Sequence, residues 1–320
     1  MTSIRTLITG LIVLASVPAF AEVDLSGNWA ARHHQDWQER GPGPEPVDYS
    51  GLPINAEGRA KALKYEASIL SLPERQCLYY TPAYLVIGPF PIKMWADTDP
   101  ITGKTVAWKV GGLIDRAILT IWMDGRPHPP EYAPHTFSGF TTGEWEGDVL
   151  TTYTTHFKAG YIRRNGTPSS DQAVMVAHFI RHDDFLTVTQ FVEDPTYLTE
   201  PYVLSRVWQL DNHAIINPVP APCTPEAEVA RLDGQSPIPH FLPGKNPYLN
   251  EVTRLYNIPL EAVMGGAETM YPEFRKRIES QYRIPEKCIR YCCGWGGGNP
   301  NPALALGCII DGSGKVRKPD

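Results

Sequence analysis

Apart from the segment Leu7 to Val17, the chain has no apolar run approaching the ~20 residues that cross a bilayer as a helix, so no membrane span is expected. Basic clusters are equally scarce. The densest is a short run such as Arg275-Lys276-Arg277, and 35 Asp+Glu outnumber 29 Lys+Arg, a balance that disfavours nucleic acid as a partner. No internal repeat marks a solenoid or propeller. The sequence also lacks H-x-H and H-E-x-x-H metal spacings and the G-x-S-x-G nucleophile turn. Gly294 to Gly298 is glycine-rich but lacks the Lys-Ser/Thr and the following helix of a phosphate loop. With these signatures missing, the expected metal set is none and the expected cofactor set is none.

The ends of the chain carry clearer signals. Arg5, the apolar run Leu7 to Val17 and the small-x-small pattern Ala19-Phe20-Ala21 predict a signal peptide over 1–21. Cleavage after Ala21 leaves 22–320, with 28 Lys+Arg against 35 Asp+Glu and a net charge of −7 with His neutral. A periplasmic or secreted protein is therefore expected. Six cysteines, Cys77, Cys223, Cys288, Cys292, Cys293 and Cys308, follow the leader, and an even number in an oxidising compartment predicts disulfides. Cys77 and Cys223, isolated in the body of the chain, are the natural pair, and the other four would pair among themselves. Thiolates also bind zinc, but Cys288-x3-Cys292-Cys293-x14-Cys308 contains no C-x2-C pair.

Gly and Pro make up about 18% of the chain and aromatics 10%, which suits a loop-rich β protein better than a helical bundle. Eight segments have strand character: 84–87, 92–95, 106–110, 117–123, 149–157, 173–181, 185–192 and 202–210. Turn signals separate most of them, and His182-Asp183-Asp184 marks the clearest hairpin. Strands in succession without intervening helices argue an antiparallel sandwich or barrel, and closure into a barrel removes exposed edges. Gly27-Asn28-Trp29 near the mature start resembles the opening of lipocalin-like barrels, which implies a tryptophan plugging one barrel end. Helices are expected over Asn55 to Leu70, from about Asn246-Pro247, and from Tyr271-Pro272. The fold expected is thus mainly β, an antiparallel barrel of about eight strands with two peripheral helical additions, spanning 22–286, followed by a cysteine-rich tail at 287–320.

The stretch Ala117 to Phe157 organises the candidate chemistry. Two strand runs, 117–123 and 149–157, are held apart by a loop that carries Arg126, His128, Glu131, Tyr132 and His135 among the prolines Pro127, Pro129 and Pro130. Proline restricts the backbone and removes ladder donors, so polar groups on such a loop are preorganised. Histidine titrates near neutral pH and serves as acid, base or ligand. His128, His135 and His156 are accordingly the candidate catalytic groups. Alternation places His156 with Leu150, Thr152 and Thr154, and His178 with Val174, Val176 and Ile180. If both faces point inward, these histidines line a cavity, with Trp122, Tyr132, Trp145, Tyr153 and His178 as ligand-binding side chains. Arg163-Arg164-Asn165-Gly166 is expected to be a solvated hairpin tip.

Four strings are distinctive: Trp122 to Pro130 (WMDGRPHPP), Gly143 to Asp148 (GEWEGD), Tyr197 to Pro201 (YLTEP) and Gly265 to Pro272 (GGAETMYP). With the leader, they resemble a group of secreted bacterial proteins of uncharacterised function, similar in outline to lipocalin-like barrels, over roughly Asp24 to Arg277. The resemblance implies a barrel and supplies no catalytic residue. Two functions are compatible with these features. The first is a barrel that binds a small hydrophobic or aromatic molecule in its cavity; the second is a cofactor-independent lyase, isomerase or hydratase working there with His and Asp/Glu. Neither the ligand nor the oligomeric state is specified by the sequence.

Overall fold

The computed structural model describes residues 22–32, 47–65, 81–87, 91–112, 118–163, 165–214, 216, 242, 245, 247–281, 309–310 and 316–317. The expected leader, all six cysteines and most of the tail lie outside the described residues. Along the chain come β1 (Gly27–Ala31), α1 (Ala56–Ala62), α2 (Pro82–Ile87), β2 (Ile92–Thr98), β3 (Thr105–Gly112), β4 (Leu119–Trp122), β5 (Phe140–Glu146) and β6 (Val149–Thr155). These are followed by β7 (Gly160–Tyr161), β8 (Pro168–Ser169), β9 (Val174–His182), β10 (Phe185–Glu193) and β11 (Tyr202–Leu210). The C-terminal part adds α3 (Glu251–Tyr256), α4 (Leu260–Val263), α5 (Pro272–Ile278) and the short pair β12 (Ile309–Ile310) and β13 (Val316–Arg317).

Nine strands close a barrel in the spatial order β1-β11-β10-β9-β6-β5-β4-β3-β2, and β1 pairs with both β2 and β11. The expected antiparallel eight is corrected to a mixed nine. A ring of strands that alternate in direction needs an even number, so nine strands force at least one parallel neighbour. That neighbour is β4 with β5, where Ile121 lies opposite Thr141 and Trp122 opposite Thr142. Parallel strands cannot be joined by a hairpin, because the chain must travel back before the next strand starts. The segment 123–139 makes that return.

Two further differences concern element type. The run 84–87, expected as a strand, is part of helix α2. Pro82 suits a first helical position, and a short apolar run does not by itself distinguish buried strand from helix. Strand β5 was expected as loop. Its Gly143 has a packing reason, since a Cβ there would lie 2.6 Å from Ile121 Cγ2 and 2.8 Å from Met123 Sδ. Asn55 caps α1 as expected, its Oδ1 accepting from Gly58 N at 2.8 Å, but the helix stops at Ala62 with Leu63 as its C-cap.

The barrel interior is built in layers. At one end Leu25, Trp29, Ile92, Met94, Trp108, Val110, Leu119, Ile121, Leu150, Ala177, Phe179, Leu186, Val188 and Trp208 form one buried cluster. Trp29 is fully buried within this cluster. Its indole Nε1–H donates to the Leu25 carbonyl at 3.0 Å, and the Arg181 guanidinium lies 5.4 Å from its ring. Gly27, at φ +148°, allows the close approach, because a Cβ would meet Leu210 Cδ1 at 2.5 Å. At the other end the segment 47–62 covers the barrel, and Val47, Tyr49, Leu52, Ile54 and Ala62 pack with Phe157, Met175, Val192 and Tyr202 in a second cluster. The C-terminal helices dock on this cover through Tyr49 N to Val263 O (2.9 Å) and Gly51 N to Gly266 O (3.1 Å). Arg163, Asn165 and Gly166, expected at a solvated tip, are buried. Asn165 is buried and its Nδ2 donates to Asp48 O at 2.6 Å, which ties the β7–β8 hairpin to the cover.

Candidate functional site

The returning segment 123–139 crosses the outside of β5 and β6. Along β6, Leu150, Thr152 and Thr154 are buried and face inward, whereas Thr151, Tyr153 and Thr155 face out. The imidazole of His128 lands on this outer face. It sits between Thr155 Oγ1 (2.8 Å from Nδ1) and Thr142 Oγ1 (2.9 Å from Nε2), with the rings of Tyr153 and Phe140 each at 5.0 Å. Thr155 Oγ1 also lies 2.7 Å from His156 Nδ1, and His156 Nε2 lies 3.0 Å from the Pro130 carbonyl oxygen.

That carbonyl fixes the direction of the network, because it only accepts. His156 therefore donates from Nε2, and with a neutral ring it accepts the Thr155 hydroxyl proton at Nδ1. Thr155 in turn accepts from His128 Nδ1–H, which leaves His128 Nε2 to accept from Thr142. All four nitrogens of the two rings are used in this arrangement. His135 differs. Its Nδ1 donates to the Phe157 carbonyl at 3.2 Å and its ring centroid lies 5.1 Å from that of His156. Its Nε2 has no hydrogen-bond partner among the described residues, so His135 is the member of the trio with a ring nitrogen open to an incoming group.

The three candidate catalytic histidines are thus brought together, but outside the barrel. His156 does not follow the inward alternation of β6. The strand ends at Thr155, and His156 adopts φ +56°, which turns its ring out towards Pro130. His178 also faces out: Met175, Ala177 and Phe179 are the buried set on β9, and His178 bonds Thr151 Oγ1 at 3.0 Å through Nδ1. Of the expected ligand-binding residues, Trp145 alone is inward, packed against the apolar end layer. Trp122 lies under the Arg126 guanidinium, 3.6 Å from its ring centroid, and Asp124 pairs with that arginine. Hydrogen bonding to Arg126 holds the Asp124 carboxyl below its ordinary range. Tyr153 is 43% exposed and Tyr132 93% exposed, so both belong to the outer surface.

Partial burial keeps the His128 imidazole below its ordinary value of 6.5, with the neighbouring His156 adding to the effect. A depressed folded-state value means that the folded protein binds fewer protons than the unfolded chain as pH falls. The associated stability is fully present above the unfolded value and is lost as pH drops through the folded one. Melting temperature is therefore expected to fall between about pH 7 and pH 5. His128→Gln should flatten that slope, and an unchanged slope would remove His128 as its source.

Between the two apolar layers, the interior carries polar side chains that strand alternation brings inward. Thr141 and Thr154 hydroxyls meet at 2.9 Å, and Thr152 Oγ1 donates to the Ala177 carbonyl at 3.2 Å. Arg206 on β11 is 1% exposed, its guanidinium carbon 5.0 Å from the Trp208 ring centroid. Gln190 on β10 is 0% exposed, and neither Nε2 nor Oε1 has a hydrogen-bond partner among the described residues. The Trp108 Nε1–H is likewise buried without a partner. A buried, unmatched amide costs free energy unless something supplies its partners. Sequence reasoning overlooked these groups, although one glutamine in the inward register Leu186, Val188, Gln190, Val192 was a readable anomaly.

Among the described residues no group of three or more His, Cys, Asp or Glu side chains is arranged to hold a metal ion, and no helix is long and apolar enough to cross a membrane. No protein-family model, curated protein or solved structure matches this chain.

Proposed function

We propose that this is an exported barrel, periplasmic or secreted, that binds a small molecule in its interior. The unmatched carboxamide of Gln190 is the observation that carries this reading. It presents one donor side and one acceptor side inside a closed barrel, with Arg206 and the Trp108 N–H on the same interior surface. Apolar clusters lie on both sides of this polar belt. The ligand is accordingly small, with an apolar or aromatic body and one polar head that both accepts and donates hydrogen bonds.

Gln190→Leu separates function from stability. Removing an unmatched buried amide should stabilise the ligand-free protein by about 1–3 kcal/mol while abolishing interior binding. Ligands carried through purification, released by denaturation and identified by mass spectrometry, give the binding readout, and calorimetric melting gives the other. A Gln190→Leu protein that retains the same ligand, or melts well below the parent, would overturn the assignment.

One observation favours the second reading, a cofactor-independent lyase, isomerase or hydratase. It is the Nε2 of His135, beside His156 and without a hydrogen-bond partner among the described residues. In that case the reacting group sits on the outer face of the barrel. His135→Gln should then abolish turnover of an extracted ligand with its melting temperature unchanged.

A further inference from the structure

We propose that the outer face of α1, together with the tyrosines beside it, forms a second binding site that takes a small aromatic carboxylate. Glu57, Ala60, Lys61 and Lys64 recur at i, i+3, i+4 and i+7 and so share one face of the helix and the turn that follows it. With Tyr65, Tyr161 and Tyr197 they line a cleft of about 330 Å3, outside the barrel. A volume of that size accommodates a small ligand.

The hydrogen-bonding groups of the cleft are mostly donors. Lys61 Nζ lies 2.8 Å from Tyr197 Oη, and because an ammonium group only donates, the phenol must accept. The Tyr197 hydroxyl proton is thereby left pointing to another acceptor. The Lys64 ammonium group has no hydrogen-bond or ion-pair partner among the described residues. Two ammonium groups face the single carboxylate of Glu57, a local positive balance on a chain of net charge −6. The complement is an acceptor-rich anion.

The remaining wall is aromatic. Tyr65 and Tyr161 meet edge to face, with ring centroids 5.3 Å apart and planes at 69°. Tyr161 and Tyr197 are 8% and 7% exposed, so they form the floor. Such rings contribute area and ring-to-ring contact to a flat apolar body but nothing to a bare inorganic anion. Ammonium groups at the mouth and phenyl faces beneath them select a planar acid.

The test is calorimetric titration of the full chain with benzoate, and with benzamide as a neutral mimic of the same shape. Saturable benzoate binding is expected, weakened about tenfold or more both by the change to benzamide and by Lys61→Ala/Lys64→Ala. Both lysines are exposed, so the double variant should fold like the parent. Gln190→Leu is expected to leave benzoate affinity unchanged, which separates this site from the barrel interior. Absence of saturable heat, equal affinity for benzamide, or unchanged affinity in the lysine variant would overturn the proposal. Loss of binding in Gln190→Leu with the lysine variant unaffected would place benzoate in the barrel and also overturn it.

Discussion

Trp29→Ala is expected to cost about 3–5 kcal/mol, the range for removing a large buried aromatic from a packed core. The indole is fully buried in the apolar cluster and donates to Leu25 O, so truncation leaves both a void and an unmatched carbonyl. For a chain of this size the melting temperature should drop on the order of 10 °C. Trp29→Phe keeps much of the packing and loses the N–H, and should fall between the two. Thermal unfolding of the three proteins decides the matter: if Trp29→Ala melts with the parent, Trp29 does not plug the barrel.

Asp194→Ala is expected to have an effect of similar size for a different reason. Asp194 is 3% exposed and its carboxylate gathers four donors: Ser170 N on Oδ2 (2.7 Å), and Ser170 Oγ (2.7 Å), Thr196 N (3.0 Å) and Tyr197 N (3.3 Å) on Oδ1. It thereby joins the start of the β10–β11 connection to the end of the β7–β8 hairpin. Alanine leaves buried backbone donors unmatched, a loss of about 3–5 kcal/mol. Asp194→Asn retains an oxygen at Oδ1 and sets an NH2 against Ser170 N, so roughly half the effect is expected. Denaturant unfolding of both variants measures it. Equal stability of Asp194→Ala and parent would show that these donors find other partners.

Much of the barrel was legible because β strands have a period of two. Strands β2, β3, β6, β9, β10 and β11 appear where alternation or β-branched runs predicted them, and Asp183, at φ +51°, makes the predicted hairpin turn. Alternation shows which side chains share a face, however, and not which face is inside. On β9 the sets Val174/Val176/His178/Ile180 and Met175/Ala177/Phe179 are comparably apolar, and only the neighbouring strands decide between them. The meeting of His128, His135 and His156 was legible from the proline-stiffened loop between strand runs. Its location was not, for two physical reasons. The left-handed conformation of His156 carries no side-chain signature, and strand β5, with Gly143, Glu144 and Glu146, lacks the residue types that usually signal a strand. Missing β5 hid the parity argument that makes the loop a return between parallel strands.

Closure through β1 has a consequence for the order in which the protein is made. Trp29 lies opposite Ile92 on one side and Leu210 on the other, so a five-residue stave from the start of the chain joins partners that emerge far apart in time. Until β11 has left the ribosome, β1 holds β2 alone and the growing sheet keeps two unsatisfied margins. Such margins recruit other chains. A shortened chain ending before Tyr202 should therefore self-associate rather than accumulate as a monomer, and a chain starting after Ala31 should do the same from the opposite end.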